Sequence, residues 1–283
     1  KETFFPYYGA TGINQKISVM KAIHDDMLVR KISPYNLLWT WQWNDSGVFT
    51  NWMNSMDYFW DASTKTYSLP SPLVDELKRW KGHSIMIHHL GASTFSNDAI
   101  SIGKVRINDP DYVVKAAPYF SAVEEYYESF GVKPYFMIDE SKPSVNAEGA
   151  VLPLDKQPKS VQWPLIIAEA IRKKSTLRIG VAHLAEHIPN WLKLGSAFNW
   201  WVVKGYGGFG WSGYPKDVRP LVGDAEIWTY WTSGKVFQSG NEAELSESLL
   251  NSQVMGATGV LLWSVFPYPG IVNGCALYGL PPT

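Results

Sequence analysis

Cysteine is nearly absent: Cys275 is the single one in 283 residues. An intrachain disulfide and a cysteine metal cluster are therefore excluded, and the thiol reads as a lone half-buried group. Charge of one sign is also missing. Lys+Arg total 25 and Asp+Glu 26, a formal net charge of -1. That balance gives no electrostatic reason to expect nucleic acid or an anionic membrane as partner. Long hydrophobic runs do not occur either. A run such as GVLLWSVF at 259–266 is far short of the roughly 20 residues that span a bilayer. There is no HExxH, no phosphate-binding loop ending in Gly-Lys-Ser/Thr, no internal repeat and no low-complexity tract. The chain opens KETFFPYYG without a signal-peptide pattern. Lys1 stands where an initiator methionine would, so this opening does not argue for the cytoplasm. A secreted or periplasmic setting is the expectation.

Aromatic residues are what the chain has in abundance: 14 Trp, 15 Tyr and 12 Phe. Rings bury well in cores, which is their ordinary use. Many of these Trp, however, fall at the ends of strand-like runs. There an indole offers a flat apolar platform for the C–H face of a sugar. An oligosaccharide or glycan is the partner this composition suggests.

Periodicity sets the architecture. Ile13, Ile17, Met20, Ile23 and Met27 recur at helical spacing, and Ser33-Pro34 ends that helix. Helices are also expected from Pro72 to Trp80, over 111–130 with Gly131 as cap, over 160–175 and over 241–257. Pro164 fits only near the first turn of its helix. Eight short apolar runs read as strands: 4–8, 35–41, 83–90, 132–140, 177–183, 197–203, 225–231 and 258–265. Continuous apolar runs separated by helices are the pattern of parallel strands covered on both faces. With 46% apolar residues, one domain over 1–283 can close a single core. The expected fold is α/β, a (β/α)₈ barrel of the TIM type, irregular or truncated after its eighth strand. The runner-up, an open doubly wound sheet, lacks a glycine-rich strand-to-helix turn.

In such barrels function gathers at the carboxyl ends of the strands. Those ends hold Trp41 and Trp43 beyond the second strand, His88 and His89 on the third, and Asp139 and Glu140 on the fourth. His183 ends the fifth, Tyr230 and Trp231 the seventh, and Trp263 the eighth. Asp139-Glu140 is the sharpest feature. The apolar run YFMI precedes it, and a carboxyl at a dry rim holds a proton near neutral pH. Glu140 is the candidate acid, Asp139 its partner. YGGFGWSGYP at 206–215 reads as an aromatic wall carrying Trp211. No second carboxylate ends the seventh strand, so a two-carboxylate glycosidase is not completed there.

The stretches SVMKAIHDDMLVRKISPYNL at 18–37, YFMIDES at 135–141, AEIWTYW at 225–231 and GATGVLLWSVFPY at 256–268 together resemble glycoside hydrolase family 123. That resemblance implies a β-N-acetylhexosaminidase in which the substrate's own acetamido oxygen attacks. Asp139 would polarise the acetamido group and Glu140 would donate the proton. Tyr230 and Trp263 would contact the sugar, joined by Trp41, Trp43, His88, His89, His183, Trp231 and Trp211. Ser141 stands where the family pattern tends to carry proline.

Two alternatives remain beside it. One is a carbohydrate-binding barrel without catalysis. The other is a two-carboxylate glycosidase drawing on Asp45, Asp98 or Asp155. Neither a metal nor another cofactor is expected. Adjacent strand histidines such as His88 and His89 point apart, so one of them packs beneath the other. His24 beside Asp25 and Asp26 reads as a solvated or packing site.

Overall fold

The computed structural model describes residues 24–25, 28–29, 33, 57, 59–69, 71–91, 100–139, 141–205, 215–231 and 250–262. The expected strands at 4–8 and 35–41 lie outside them. The chain divides into two compact units, Lys1–Met137 with Trp163–Ile179, and Ile138–Gln162 with Gly180–Thr283.

In the first unit, helix α1 (Ser71–Arg79) buries Leu73, Glu76 and Leu77 on one face. Strand β3 (Ser84–Gly91) follows. Its Ile85, Met86, Ile87 and His88 are all buried, as a strand covered on both faces requires. Helix α2 (Tyr112–Ser129) ends as its glycine predicts. Gly131 has φ +72, its N–H bonds to Glu128 O, and the Val132 N–H bonds to Tyr127 O. This pair of bonds satisfies the last carbonyls of the helix. Strand β6 (Lys133–Asp139) continues from there. Helix α3 (Lys159–Lys174) carries Pro164 in its second turn, one turn further in than the sequence suggests. The ring forfeits one backbone bond, and Ile167, Ala168, Ala170 and Ile171 bury the face that holds the helix in place.

Two segments that read as long loops contain small hairpins. Strands β1 (Trp60–Asp61) and β2 (Thr66–Tyr67) pair antiparallel, as do β4 (Ser101–Ile102) and β5 (Val105–Arg106). The second turn places Gly103 at φ +66 and Lys104 at φ +61, the left-handed pair that a two-residue hairpin favours. A side chain at 103 would also meet Tyr119 Cβ at 2.8 Å.

In the second unit, strand β7 (Arg178–His183) leads through helix α4 (Ile188–Lys193) to β8 (Trp200–Gly205). Helix α5 (Pro215–Val222) then leads to β9 (Glu226–Trp231). A helical stretch at 250–254 leads to β10 (Gly259–Leu262). β7, β8, β9 and β10 pair in parallel, neighbour to neighbour. Helical crossovers are what parallel neighbours need. The hydrogen-bonded strand order is β3-β6-β7-β8-β9-β10. The α/β class and the sequential strand order of a barrel-like fold are thus present, and among the described residues the sheet is open rather than a ring of eight.

Packing of this sheet depends on glycine opposite tryptophan. Gly180 pairs with Trp200 and Gly259 with Trp228, and the two indoles meet edge to face at 5.0 Å. A Cβ at Gly259 would lie 2.5 Å from the Trp228 indole. Gly259→Ala is therefore expected to destabilise the protein by about 1–3 kcal/mol through overpacking. Urea unfolding measures this, and an unchanged midpoint contradicts the packing described.

Candidate functional site

Parallel strands bury their middles and expose polar groups at their ends, so the carboxyl edge is where side chains with chemistry collect. In the second unit β8, β9 and β10 end level and β7 ends two residues earlier. Pairing aligns His183 with Val203, Val203 with Thr229, and Thr229 with Val260. One residue further, Lys204, Tyr230 and Leu261 align, and then Gly205, Trp231 and Leu262. Asp139 is the last residue of β6.

His183 is half-buried, and its ring is oriented by the backbone. The Leu184 N–H donates to its Nδ1 at 2.7 Å. In the neutral ring the proton then belongs on Nε2. The His187 ring stands edge to face against it at 4.4 Å. Burial lowers the pKa of His187, helped by the positive charge of Lys142 and opposed by Glu186. The Glu186 Oε1 is 3.3 Å from His187 Nε2. Ser141 is buried, and its hydroxyl has no hydrogen-bond partner among the described residues. Lys142, His183 and His187 make this edge rich in donors. Among the described residues no group of three His, Cys, Asp or Glu is placed to hold a metal.

The other candidates from the sequence are distributed as follows. Tyr230 lies within β9 and is only 2% exposed. Asp139, His89 and Trp231 are placed as strand residues, with side chains outside the described part. Glu140, Trp41, Trp43, Trp211 and Trp263 lie outside the described residues, as do Asp45 and Asp98. Asp155 is exposed in a short 3₁₀ turn and pairs with Lys156 at 3.7 Å. His88 belongs to the first unit. It is buried, its Nε2 lies 2.9 Å from the Tyr119 hydroxyl, and its ring tilts against Phe136 at 4.8 Å. Burial pushes its pKa down to about 3. Of the adjacent histidine pair, His88 is the one whose side chain is described.

Three buried polar groups of the first unit escaped the sequence reading. Asp57 accepts the N–H groups of Gly103 at 2.9 Å and Lys104 at 3.0 Å. Glu124 on α2 accepts from Ser175 Oγ at 2.6 Å and from the Thr176 N–H at 2.9 Å. Glu76 accepts from Trp80 Nε1 at 3.3 Å and Arg79 Nη1 at 2.9 Å, and lies 2.7 Å from His24 Nδ1. His24 is therefore a packing residue. Each acceptor meets a donor far away in sequence or in an irregular segment, and no spacing rule announces such pairs.

Comparison with known proteins overturns the family expectation. No family model matches the chain, that of glycoside hydrolase family 123 included. No curated protein matches it. Among solved structures, a likeness is found to the crystal structure of 2,3-dimethylmalate lyase, a PEP mutase/isocitrate lyase superfamily member. It is 8% identical with a TM-score of 0.35, over 74% of this chain and 59% of that chain. The chain thus spans less than two thirds of the lyase's length, and a score this low transfers neither fold nor chemistry. The reading as a glycoside hydrolase working by substrate assistance is withdrawn, together with the carbohydrate-metabolism role it implied. Three of its four motifs were short apolar strand sequences of a kind any covered parallel strand produces, and the fourth, at 18–37, is an ordinary amphipathic helical pattern.

The buried imidazole yields a pH prediction. Unfolded, His88 binds a proton near its ordinary value of 6.5; folded, it stays neutral to about 3. Between those limits the unfolded chain binds more protons, so stability falls as pH falls. Asp57, pushed up to about 6 by burial, acts oppositely: its contribution is full below the ordinary carboxylate range and is lost as pH rises through 6. His88→Gln removes the first effect. The urea midpoint of this variant should drop less than that of the parent between pH 6.5 and 4.5, and an equal drop contradicts the assignment.

Proposed function

We propose that this chain binds carbohydrate at the carboxyl edge of the strands β7, β8 and β9, as a binding protein to which no hydrolysis is assigned. The observation that carries the reading is the register of those strands. β8 and β9 end together at Gly205 and Trp231, and β7 ends at His183, two residues short of them in register. A ligand lying across such an edge meets residues from several strands at once.

Two further features favour a sugar. Donors collect there, and hydroxyl-rich ligands need several directed hydrogen bonds. The sequence also supplies aromatic residues: Trp231 at the end of β9, and Tyr206, Phe209, Trp211 and Tyr214 in the stretch after β8, which lies outside the described residues. Aromatic faces bury the apolar C–H side of a pyranose while its hydroxyls find polar partners. Asp139, at the end of β6, is a candidate acceptor for a hydroxyl pair.

Isothermal titration with N-acetylgalactosamine, N-acetylglucosamine, galactose, glucose and their short oligomers tests the reading. At least one is expected to bind, and Trp231→Ala should weaken that binding by about tenfold, the loss expected from one stacked ring. No binding by any of them, or an affinity unchanged in Trp231→Ala, overturns it.

A further inference from the structure

The amino ends of strands β3, β6 and β7 carry a basic rim that the carbohydrate reading does not use. The three strands are neighbours in the sheet. The Lys133 N–H at the start of β6 donates to His83 O, just before β3, at 2.9 Å, and the Gly82 N–H donates to Gly131 O at 2.8 Å. Arg178 opens β7. Helices α1 and α3 end at this rim, since a helix that joins parallel strands runs back against them. Their last turns hold Lys78 and Arg79, and Arg172, Lys173 and Lys174. All of these residues belong to the first unit.

Some of the cations are already committed. Arg79 pairs with Glu76 at 2.9 Å and with Asp25, Lys78 pairs with Asp75 at 3.1 Å, and Arg178 lies 4.0 Å from Glu128. Arg172 donates to the carbonyls of Ser175 and Leu177. Others are not: among the described residues Lys81, Lys133, Lys173 and Lys174 have no ion-pair partner, and all four are exposed. The acids nearby are taken up by the first group. Glu124 is buried on Ser175 and Thr176, while Glu125 and Glu169 stand a turn or more back along α2 and α3. The dipole of a helix end favours lysine, which accounts for Lys173 and Lys174. Lys81 and Lys133 stand beyond the last turns, at strand entrances. A Cβ at Gly131 would lie 3.0 Å from Lys81 Cγ, so the Lys81 stem lies across the junction of α2 and β6.

We propose that this rim is a further glycan site, one that takes a linear acidic polysaccharide with a carboxylate or sulfate on successive sugars. Adjacent strands lie about 4.8 Å apart, close to the length that one sugar adds to an extended chain. Cations at the entrances of β3, β6 and β7 therefore follow one another at the repeat of such a ligand. Lysine suits it, because an ammonium is a point charge that needs no bidentate geometry. Other polyanions fit less well. Single-stranded nucleic acid needs rings on which bases stack. Here Trp80 and Tyr127 are buried, and Phe130 packs against Tyr126 at 5.3 Å. An anionic membrane is held best when apolar side chains also enter it. Among the described residues no exposed large apolar side chain lies on α1, on α3 or within 80–84, 127–133 and 172–178. The formal net charge of -1 conceals the rim, because a net charge averages over the whole surface.

Retention of the full chain on immobilised polygalacturonate and on immobilised heparin, begun at low ionic strength, tests the proposal. The parent should bind one polymer or both, and added salt should release it. Lys133→Glu combined with Lys173→Glu should weaken that binding by about tenfold. Lys156→Glu combined with Lys193→Glu makes the same change of charge on exposed residues of the second unit. That control should weaken binding by less than about twofold, since screening confines the effect of a distant charge. No retention on either polymer, or an equal loss in the two double variants, overturns the proposal. So does tighter binding to duplex DNA or to phosphatidylserine vesicles than to either polymer. Trp231→Ala should leave retention unchanged; a loss there would assign the polymer to the carboxyl edge and overturn the rim as its site. Failure of the neutral sugars to bind that edge leaves this test untouched, so the two readings stand or fall separately.

Discussion

Cover on both faces is the constraint from which the rest of this structure follows. Tyr135, Phe136, Met137 and Ile138 run buried along β6, and Trp200, Trp201, Val202 and Val203 along β8. A strand buried on alternate residues tolerates polar groups on its open face; these strands have no open face. Side chains with chemistry are thereby displaced to the carboxyl ends, into turns, or into buried positions where partners are waiting. The parallel pairing of β7, β8, β9 and β10 gathers the first of these outlets along one edge.

Buried polar groups show what the constraint costs elsewhere. Asp57, Glu124 and Glu76 each sit in low-dielectric surroundings, and each accepts two or more hydrogen bonds. A lone buried carboxylate would be strongly destabilising, and one ringed by donors is tolerable. All three acceptors tie helices or loops to segments distant in sequence. Glu124 on α2 fixes the connection from α3 into β7. Arg172 reinforces it from the other side by donating to the carbonyls of Ser175 and Leu177. Burial displaces Asp57 and His88 in opposite directions on the pH scale.

Much of the framework was legible in the sequence. Helical spacing from Pro72 onward gave α1, Gly131 gave the end of α2, and the apolar runs at 132–140 and 225–231 gave β6 and β9 nearly residue for residue. Those features are local: a periodicity, a cap, a run. The hairpins at 60–67 and 101–106 were missed because their turns use Lys65 and Lys104 at positive φ rather than the usual Asn-Gly pair. Helix α5 was missed because it opens with Pro215 directly behind a glycine-rich segment. Pairing of Gly259 with Trp228 depends on strand register, which no single segment encodes. The positions of His183 and Trp231 at strand ends were readable from strand boundaries. The family resemblance failed for the opposite reason: apolar strand motifs reflect burial, and burial is shared by unrelated parallel sheets.

The central claim is that the carboxyl edge of the second unit is where this protein meets its ligand. Backbone NMR shift mapping with each sugar of the titration series tests that claim most directly. The account predicts shifts concentrated at His183–Leu184, Lys204–Gly205 and Tyr230–Trp231, with residues at the opposite ends of the same strands, such as Arg178 and Glu226, unmoved. Shifts centred on those opposite ends, or no shifts with any of the sugars, would contradict it.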